Sequence, residues 1–563
     1  MRKRTVGDHL TVNAISGTDA VLLGFNLRAE PSDNFLGFAV RRTDLGTEAS
    51  AWLPNLLAFP GAVDGSIITR DHPLQAFLWG DYTVGAGQSL RYEVRAVGGA
   101  PGALEIRDAV DFEIETEQHE DGRHGIWFNR GIAGSQAYTR QFGQISPLES
   151  DPARRWMSRG LEEAMTRFLR RAEDSGWALR GALYEFSQEH ILEEFIRAAA
   201  RGVDVKLRVA APVSDGFPKD PSPANIHAIE HIAVDIDRQE HKLGKLTKGR
   251  ARNDIAHNKF VVLVKDGEPL AVWTGSTNLT EGAFFGHSNV GHLVEDPDIA
   301  AKYLRYWQAL DRDPSRDELR PFVEQETPLP ADGVAPAGEI LPIFSPRQDS
   351  AALRWYARLM GRAQQALLLS APFGVTGVFD DLLKHEAAYP RYVLLDSLGK
   401  DAYLQRVGPN THATAGGYIG KGVWRQFLEE HLSGLNVHAK YIHTKYILVD
   451  PLTDDPLVIT GSANFSTNST EQNDENTLVI RGDQRVADIY LSEFMRIFTH
   501  LQFRAKTGRA HPEQMAPDPT DPRAGTDKAL DPTGTWAKAF FNRDDPRFKE
   551  RELFGATEIA PAE

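Results

Sequence analysis

Apolar and polar residues alternate along the first part of the chain, as they do in strands that bury one face. Runs such as LTVNAI, AVLLGFNL, LGFAVRR and LRYEVRAV are separated by Gly, Pro, Asp and Asn. Alternation with a period of two between turn residues is typical of a sandwich of short strands. We therefore expect an immunoglobulin- or fibronectin-like β-sandwich over residues 1–120, with Trp79 and Tyr82 in its core rather than at a ligand site.

From about residue 155 the apolar residues recur every three or four positions, which indicates helix. The segment ARRWMSRGLEEAMTRFLRRAED precedes a strand-like run, a helical run and a second strand-like run: WALRGALYEF, QEHILEEFIRAAARG and VDVKLRVAA. Strand–helix–strand at this spacing predicts a parallel α/β unit. After the linker-like LPADGVAPAGE at 329–339 the order restarts with AALRWYARLMGRAQQ, ALLLSAPFG and RYVLLDS.

This pattern predicts an α/β fold with mixed sheets, divided into two similar halves. The first half is expected over residues 121–328 and the second over 329–510. A C-terminal extension, 511–563, is rich in Pro and Asp at its start. It contains one apolar segment, TWAKAFFN, which we expect to dock on the body of the protein.

Composition narrows the possible chemistry. The net charge of −15 argues against a protein that coats nucleic acid or an anionic membrane, so an anionic substrate would need a local basic site. The absence of cysteine excludes disulfides, thiolate nucleophiles and zinc–thiolate sites. The basic start MRKRTVGDHL has no apolar core of a signal peptide, and no run approaches about 18 apolar residues. These features predict a cytoplasmic protein without a membrane span.

The two α/β halves carry the same pair of motifs at a constant separation. In the first half His257-Asn258-Lys259 opens the apolar run FVVLV, and Gly275-Ser276-Thr277-Asn278 follows. The second half has His443-Thr444-Lys445 before YILVD, and then Gly461-Ser462-Ala463-Asn464. Corresponding positions are 186 residues apart throughout. One HxK alone is uninformative, but two copies with equal spacing to GSxN indicate an internal duplication.

These motifs resemble the signature of the phospholipase D superfamily, HxKx4D followed by GSxN. The segment HTKYILVD satisfies it through His443, Lys445 and Asp450, and the resemblance covers roughly residues 120–510. It implies two halves with one active site at their interface, so a single chain can complete the site. It also implies phosphodiester cleavage through a covalent phosphohistidine, in which one imidazole attacks and another protonates the leaving oxygen. No cofactor or metal is implied.

The resemblance gives each duplicated side chain a role. Lys259 and Lys445 would hold the phosphoryl oxygens as cations, so that no metal ion is needed. Hydrogen bonds to the same oxygens would come from two further pairs, Asn278 with Asn464 and Ser276 with Ser462. Preorganised donors of this kind usually supply the largest share of catalysis.

Each histidine also needs a group that orients its second ring nitrogen. Glu475, in Asn473-Asp474-Glu475-Asn476, suits this role, and the offset of 186 places Asn289 opposite it. The two histidines are therefore not expected to be equivalent. The habit of the family makes His257 the nucleophile and His443 the general acid, and the reverse order stays open.

Two features depart from the family pattern. Val264 stands where the second half has Asp450, the aspartate that the family uses for structural support. A third HxK, His438-Ala439-Lys440, lies five residues ahead of the second motif and lacks the following aspartate. We interpret His438 as a residue of the surface or the rim of the site.

A basic loop, HKLGKLTKGRAR, leads into the first motif and favours nucleic acid as the substrate. Its cations are Lys242, Lys245, Lys248, Arg250 and Arg252. The nuclease-like GSANFSTNSTEQNDEN and the absence of a basic amphipathic helix for lipid surfaces favour the same substrate. The loop would also be compatible with a simple solvated segment.

Aromatic residues end the first strand of each half, at the edge where α/β sheets bind ligands. They are Tyr184 and Phe186 in the first half and Phe373, after Pro372, in the second. They could stack on bases, pack against acyl chains or close the core. A phospholipase or phosphatidyl transferase therefore stays open as an alternative, and the missing aspartate at Val264 leaves an inactive binding module open as well. DNA or RNA, endonuclease or exonuclease, hydrolysis or transfer, and the oligomeric state are also open.

Overall fold

The computed structural model describes most of the chain, in segments. These are residues 1–32, 34–60, 67–131, 138, 141–143, 145–210, 223–375, 377–397, 408–416, 441–507 and 529–559. The third HxK at 438–440 and the start of the C-terminal extension lie outside the described residues. Within the described segments, no helix combines the length and apolar character needed to cross a membrane.

The first 115 residues form two antiparallel sheets that enclose a common core. The first sheet has the order β1-β2-β3-β6, and the second has the order β5-β4-β7-β8. The strands are β1 Arg2–Val6, β2 Leu10–Ser16, β3 Val21–Leu27, β4 Phe35–Asp44, β5 Ser50–Trp52, β6 Leu78–Asp81, β7 Ser89–Ala100 and β8 Ala103–Glu115. The predicted β-sandwich is confirmed, and its assignment to the immunoglobulin or fibronectin class stays a prediction.

Aromatic packing holds the sandwich together and attaches the C-terminal segment to it. Between the sheets Phe25 stacks on Phe38, with ring centroids 4.3 Å apart. The 3-10 helix Thr535–Phe540 covers the same core, where Trp536 stacks on Phe35 at 5.6 Å and donates a hydrogen bond to its carbonyl oxygen. The segment TWAKAFFN thus docks as expected, and its site is the β-sandwich. Tyr82 and Trp79 are partly buried against the protein cores.

The first α/β half is built on a mixed sheet of order β14-β11-β10-β15-β16-β17-β9. Its strands are β9 His124–Phe128, β10 Trp177–Leu183, β11 Asp204–Ala210, β14 Thr247–Arg250, β15 Lys259–Lys265, β16 Glu268–Gly275 and β17 Val290–Val294. A separate hairpin consists of β12 Ala233–Ile236 and β13 Gln239–Lys242. Strands β10, β11 and β14 run parallel, and the other neighbours are antiparallel.

The second half repeats this arrangement in a sheet of order β21-β20-β19-β22-β23-β24-β18. Its strands are β18 Ile340–Ser345, β19 Leu367–Ser370, β20 Arg391–Leu395, β21 Thr411–Ala415, β22 Tyr446–Val449, β23 Leu457–Gly461 and β24 Glu475–Arg481. The two orders match strand for strand, including the parallel group β19-β20-β21. The prediction of two pseudo-symmetric α/β halves with mixed sheets is therefore confirmed.

Helices pack on the faces of both sheets. They are α1 Asp151–Ser158, α2 Leu161–Arg170, α3 Glu189–Ala200, α4 Pro223–His231, α5 Pro297–Asp311, α6 Arg316–Glu326, α7 Ala351–Met360, α8 Val378–Lys384, α9 Thr467–Glu471, α10 Gln484–Thr507 and α11 Pro546–Arg551. The helical pattern from residue 153 breaks into α1 and α2 because Arg159 and Gly160 adopt positive φ angles of 50° and 88°.

One apolar core joins the two halves. Tyr306 of α5 stacks on Phe344 of β18 with ring centroids 4.2 Å apart. Tyr490 of α10 packs edge-on against Phe128 of β9 at 5.1 Å. The N-terminal sandwich is tied to the same helix by a buried ion pair, in which Arg2 lies 2.9 Å from Asp488. These contacts fix the two sheets relative to each other and so fix the motifs that they carry.

Candidate active site

The four motifs lie at equivalent places in the two sheets. His257 and His443 come just before β15 and β22, and the GSxN segments follow β16 and β23. The glycine that begins each GSxN lets two strands approach closely. A Cβ atom at Gly275 would lie 2.2 Å from the carbonyl oxygen of Val290, and one at Gly461 would lie 2.3 Å from that of Asn476. Glycine is therefore required at both turns.

Main-chain hydrogen bonds exchanged between the halves bring the motifs together. Ala256 forms a parallel bridge with Asp474, and Ser288 forms the equivalent bridge with Ile442. The Asp474 amide donates to the Ile255 carbonyl at 2.9 Å, and the amide of Ser288 donates to Tyr441 at 2.8 Å. Each histidine motif thus pairs with the segment that follows GSxN in the other half.

Because of this exchange, each histidine is oriented by a residue of the opposite half. His257 Nδ1 lies 2.9 Å from the Glu475 carboxylate. His443 Nδ1 lies 2.9 Å from Asn289 Oδ1. Glu475 and Asn289 thus occupy corresponding places, each against Nδ1 of a histidine from the other half. The two imidazoles differ, since one faces a charged oxygen and the other faces a neutral amide.

The two lysines lie beside the histidines in matching geometry. Lys259 Nζ donates to the carbonyl oxygen of His257 at 2.7 Å, and Lys445 Nζ donates to that of His443 at 2.6 Å. Both lysines are buried. Two buried lysines beside two imidazoles form an arrangement that suits an anionic ligand.

An aromatic ring flanks each lysine and histidine pair. The ring of Tyr184 is centred 4.6 Å from that of His257 and 5.0 Å from Lys259 Nζ. Phe373 is centred 6.1 Å from His443 and 5.7 Å from Lys445 Nζ, and it is 52% exposed. Phe186, by contrast, is fully buried in the core of the first half. Of the predicted strand-end aromatics, Tyr184 and Phe373 are therefore the ones that border the site.

Burial and mutual repulsion shift the pKa values of this cluster. Burial lowers the pKa of His257 to about 4, although the Glu475 carboxylate acts in the opposite direction. Burial also lowers the pKa of Lys259 to about 8. Burial and the charge of Lys259 hold the pKa of Lys445 well below its ordinary value. A bound anion would offset these effects and raise the pKa values again, so the lysines and histidines would hold more protons with an anion in the site than without one.

Burial and neighbouring charges also shift the pKa values of His443 and Glu475. Burial, Lys445 and His287 lower the pKa of His443 well below 6.5. Burial alone would raise the pKa of Glu475, but the charges of His257 and Lys259 outweigh it and lower that pKa. His257 and Lys259 also contribute to the shift of His443, so both halves act on one electrostatic site.

The two GSxN serines do not face a substrate as expected. Ser276 Oγ donates to Asn289 Oδ1 at 2.9 Å, and Ser462 Oγ donates to Glu475 Oε2 at 2.6 Å. A hydroxyl group has a single proton to donate, and both serines are completely buried. The structure therefore corrects the expectation that these hydroxyls bind phosphoryl oxygens. They hold the residues that orient the histidines.

The two GSxN asparagines retain hydrogen-bonding capacity at the site. The Oδ1 atoms of Asn278 and Asn464 are buried without a hydrogen-bond partner among the described residues. Asn278 Nδ2 donates to Glu185 at 2.6 Å. Glu185, which the sequence did not single out, also acts electrostatically on Lys259 and Lys445. A carboxylate thus borders the phosphate-attracting cluster on the side of the first half.

Most cationic side chains of the basic loop before His257 already have partners within the protein. Arg250 is buried, and its guanidinium pairs with Asp474 at 2.9 Å and Asp313 at 2.6 Å. The structure therefore corrects the expectation for Arg250, which links the two halves instead of contacting substrate. Lys242 pairs with Glu240, Arg252 with Glu318, and Lys248 donates to the Asp311 carbonyl. Lys245 and Lys248 are exposed.

Asp450 and Val264 show why the first motif tolerates its departure from the pattern. The Asp450 carboxylate accepts hydrogen bonds from the amides of Gln364, Gln365 and Ala366, just before β19. This contact matches the structural role that was expected of Asp450. Val264 instead lies inside β15 and is buried in the core shared by the halves.

Two further residues of the site were not found from the sequence. His287 lies beside His443, with ring centroids 4.7 Å apart. Asn129, after β9, donates to the carbonyl oxygens of Ala283, Phe284 and His287 and so holds the loop that carries Asn289. Neither residue belongs to the duplicated motifs. The segment His287-Ser288-Asn289, which lies opposite Asn473-Asp474-Glu475, was the available signal. Among the described residues, no cluster of three or more His, Asp or Glu has the arrangement of metal ligands.

Comparison with solved structures finds similar chains of low sequence identity. Phosphatidylserine synthase from Haemophilus influenzae is 15% identical, with 62% of this chain and 89% of that chain covered and a TM-score of 0.39. Polyphosphate kinase from Porphyromonas gingivalis is 12% identical, with 61% and 45% covered and a TM-score of 0.37, so this chain spans less than half of that enzyme. Nuc from Salmonella typhimurium, a phospholipase D family member, is 22% identical, with 27% and 87% covered and a TM-score of 0.20.

Comparison of sequences finds a family model that matches part of the chain. No curated protein matches the chain significantly. Residues 165–310 and 407–498 match the family described as cardiolipin synthase, PLD-like domain. The first matched segment contains His257 and its GSxN, and the second contains His443, its GSxN and Glu475. The two segments together make up less than half of the chain, so the similarity to this PLD-like domain lies in the two α/β halves that carry the HxK and GSxN motifs.

Proposed function

We propose that this protein cleaves phosphodiester bonds of nucleic acids through a covalent phosphohistidine, without a metal ion. The observation that supports this most is that each histidine contacts an orienting residue of the other half: His257 Nδ1 contacts Glu475, and His443 Nδ1 contacts Asn289. A buried lysine accompanies each histidine. These groups supply the nucleophile, the proton donor and the charge neutralisation that the reaction needs.

In the proposed reaction His257 Nε2 attacks phosphorus, and the bond from phosphorus to the leaving oxygen breaks. His443 takes up a proton on Nε2 when the bound anionic substrate offsets the nearby lysine charges, and it gives that proton to the leaving oxygen. His443 then accepts a proton from water, the resulting hydroxide attacks phosphorus, and the phosphorus–nitrogen bond breaks. Lys259 and Lys445 balance the charge of the phosphoryl oxygens, which is the task that a metal ion performs in other phosphodiesterases.

The assignment of His257 as nucleophile follows from the orienting groups. The Glu475 carboxylate stabilises the positive charge that develops on His257 when its Nε2 bonds to phosphorus. The neutral Asn289 amide gives His443 no such stabilisation, so a protonated His443 releases its proton more readily. The carboxylate therefore suits the nucleophile, and the amide suits the acid.

The features that favour nucleic acid are aromatic and basic. Tyr184 and the exposed Phe373 flank the two lysine and histidine pairs, where bases next to the scissile phosphate could stack. The exposed Lys245 and Lys248 lie on the segment that leads to His257. A phospholipid is the second candidate, because Phe373 could equally contact acyl chains and the matching family is described as cardiolipin synthase.

The test is an activity screen of protein treated with EDTA. The substrates are plasmid, single-stranded DNA, RNA and phospholipid in mixed micelles. We expect cleavage of nucleic acid that declines steeply with added salt, because phosphate contacts release counterions. His257→Asn and His443→Asn should be inactive, whereas His231→Phe, at an exposed histidine on α4, should match the parent.

Each other result selects a different conclusion. Release of lipid head groups without cleavage of nucleic acid would establish the phospholipid alternative. Activity that returns only when a divalent metal is added would contradict the metal-free mechanism. No turnover on any of the substrates would leave the inactive binding module as the interpretation.

The N-terminal sandwich is proposed to be fibronectin- or immunoglobulin-like on the basis of its strand order. If β2 to β8 are lettered A, B, C, C′, E, F and G, one sheet has the order A-B-E and the other C′-C-F-G. Strand C′ therefore extends the sheet of C, F and G, as in variable-type immunoglobulin sandwiches. This topology specifies no function for the sandwich.

A further inference from the structure

A third imidazole lies in the site and has no place in the duplicated motifs. His287 follows the π-helical turn Gly282–Gly286, and its side chain lies against His443 at 4.7 Å between ring centroids. It is 8% exposed. Its counterpart in the second half, 186 positions later, is Asn473, so the imidazole is present on the side of His443 alone.

The orientation of Asn289 is fixed by groups on both ends of its amide. Asn289 Nδ2 lies 3.0 Å from the Ala283 carbonyl oxygen, which can only accept a hydrogen bond. The NH₂ end must therefore face Ala283. The same Nδ2 lies 2.7 Å from His287 Nδ1, and Oδ1 lies 2.9 Å from His443 Nδ1.

This single amide sets the tautomers of two histidines. His443 donates its Nδ1 proton to Asn289 Oδ1, so the neutral ring of His443 has a lone pair on Nε2. His287 accepts a proton from Asn289 Nδ2 at its own Nδ1, so the neutral ring of His287 carries its proton on Nε2. The two imidazoles therefore present opposite functions, an acceptor on His443 and a donor on His287.

Both rings contact the amide through Nδ1, so both Nε2 atoms lie on the sides of the rings that face away from Asn289. The rings are neighbours, and the charge of Lys445 acts on both of them. Among the described residues, no protein group makes a hydrogen bond to His287 Nε2. A donor that is not used by the described part of the protein, on a ring next to the proposed acid, is suited to an oxygen of the substrate.

We propose that His287 is a further catalytic residue, which donates its Nε2 proton in a hydrogen bond to a phosphoryl oxygen on the His443 side of phosphorus. The proposal deepens the phosphodiesterase function above and rests on it. Burial and Lys445 lower the pKa of His287 to about 3, so the ring stays neutral while it donates. A neutral donor adds a hydrogen bond without adding a third cation beside Lys259 and Lys445.

Asn129 keeps this donor in place and is a positioning residue. Its Nδ2 donates to the His287 carbonyl oxygen at 2.9 Å and to those of Ala283 and Phe284. Its Oδ1 accepts the Asn289 amide at 2.9 Å. Asn129 is completely buried. The loop from Ala283 to Asn289 is thereby held rigid, as preorganised donation requires.

The kinetic test compares two replacements of His287. His287→Phe keeps the ring against His443 and removes the donor, whereas His287→Gln retains an N–H that can reach the same oxygen. We expect His287→Phe to lower kcat by roughly 10²- to 10³-fold with a much smaller change in KM. His287→Gln should recover a large part of that loss, and His231→Phe should equal the parent. A parent-like kcat in His287→Phe would overturn the proposal.

A binding measurement separates this proposal from the proposed function. Calorimetry with inorganic phosphate should show a roughly 3- to 10-fold weaker affinity for His287→Phe, as expected for one neutral hydrogen bond. Equal affinities would overturn the proposal. If the parent turns over no phosphodiester and the affinity still falls, the proposed function fails while the hydrogen bond from His287 to phosphate stands.

The tautomer provides a third readout that a purely structural role would not change. With ¹⁵N-labelled histidine, the NMR signals of His287 should show a protonated Nε2 and an unprotonated Nδ1. Asn289→Asp replaces the donor with a carboxylate, which can only accept, so the His287 proton should move to Nδ1. The same spectrum in the parent and in Asn289→Asp would overturn the assignment.

Discussion

At the scale of single residues, the surroundings of His257 and His443 differ in the group that faces Nδ1 of each ring. The group that faces Nδ1 is a carboxylate oxygen of Glu475 for His257 and an amide oxygen of Asn289 for His443. A negative charge stabilises a phosphorylated imidazole, and its absence makes an imidazolium a stronger acid. In the proposed reaction the roles of nucleophile and acid are therefore assigned by the residues at 475 and 289, because the two HxK motifs themselves are alike.

This difference predicts opposite kinetics for the two histidine variants on a phosphodiester with a p-nitrophenolate leaving group. Such a leaving group needs no proton, so His443→Asn should still form the phosphohistidine. Hydrolysis of that intermediate needs a base, so turnover should stop after a burst of about one p-nitrophenolate per chain. His257→Asn should show no burst. The absorbance of p-nitrophenolate in a rapid-mixing experiment measures both.

The covalent product gives an independent check of the same assignment. Labelled phosphorus should remain attached to His443→Asn after denaturation, should be stable in alkali and should be lost in acid, as a phosphorus–nitrogen bond is. A burst in His257→Asn together with none in His443→Asn would reverse the order of the two roles. Equal, slow release from both variants would contradict a covalent intermediate.

Residue-scale prediction from the sequence was most specific where the duplication provided a second copy. The offset of 186 paired His257 with His443 and Glu475 with Asn289, and the structure brings each histidine into contact with one of these two partners. It could not identify His287, since the equivalent position holds a different residue. It also misassigned Arg250, because the partner of that side chain, Asp474, is 224 residues away and became its neighbour through the crossing of the halves.

At the scale of secondary-structure elements, the missing aspartate of the first motif reflects a longer strand. Asp450 has a φ of 48°, and its amide donates to Ala366 across the end of β22. In the first half Asp266 has the same backbone features, with a φ of 50° and an amide that donates to Gly176. The turn after β15 thus comes two positions later, which leaves Val264 inside the strand.

Substitutions at Asp450 and Val264 should therefore change stability in ways that a comparison of the two motifs alone would not predict. Asp450→Ala removes the acceptor for three backbone amides and should cost about 1–3 kcal/mol of stability. Val264→Asp restores the motif but places a carboxylate in the apolar core, so it should destabilise the protein at least as strongly. Thermal denaturation of both variants measures this. A higher Tm for Val264→Asp would show that the motif position, and not the turn, is what matters.

Element-scale prediction was accurate where the periodicity was strong. The helix from Glu189 to Ala200 and strand β3 fall inside the runs that predicted them, and the runs LGFAVRR and FVVLV fall inside the longer strands β4 and β15. The break between α1 and α2 was missed because Arg159 continues the helical pattern while its backbone takes a left-handed conformation. Its side chain pairs with Glu493 of α10, a contact between distant segments that the local sequence does not reveal.

At the scale of the whole molecule, neither half contains a complete site. The group that orients His257 comes from β24, and the group that orients His443 comes from the loop before β17. The sequence predicted a shared site at the interface. It could not predict that the orienting residues are exchanged, because that depends on the parallel bridges of Ala256 with Asp474 and of Ser288 with Ile442.

The shared interior also buries several histidines, and this predicts how stability depends on pH. Burial lowers the pKa of His257 to about 4 and that of His287 to about 3, and it lowers the pKa values of His124, His292 and His443 as well. In the unfolded chain histidine titrates near 6.5. Below pH 6.5 the unfolded chain therefore binds protons that the folded chain does not, so the free energy of unfolding falls as the pH is lowered from 6.5 toward 4.

Each fully neutral buried histidine contributes a slope of up to about 1.4 kcal/mol per pH unit in this window. The free energy of unfolding of His287→Asn should therefore fall less per pH unit than that of the parent, even if the variant is less stable at pH 7. His231→Asn, a replacement of an exposed histidine on α4, is the matched control. Denaturation midpoints between pH 7 and 4.5 measure these slopes. A parent whose stability is flat across that range would mean that the histidines are protonated in the fold, and the neutral tautomers assigned to His287 and His443 could not then hold.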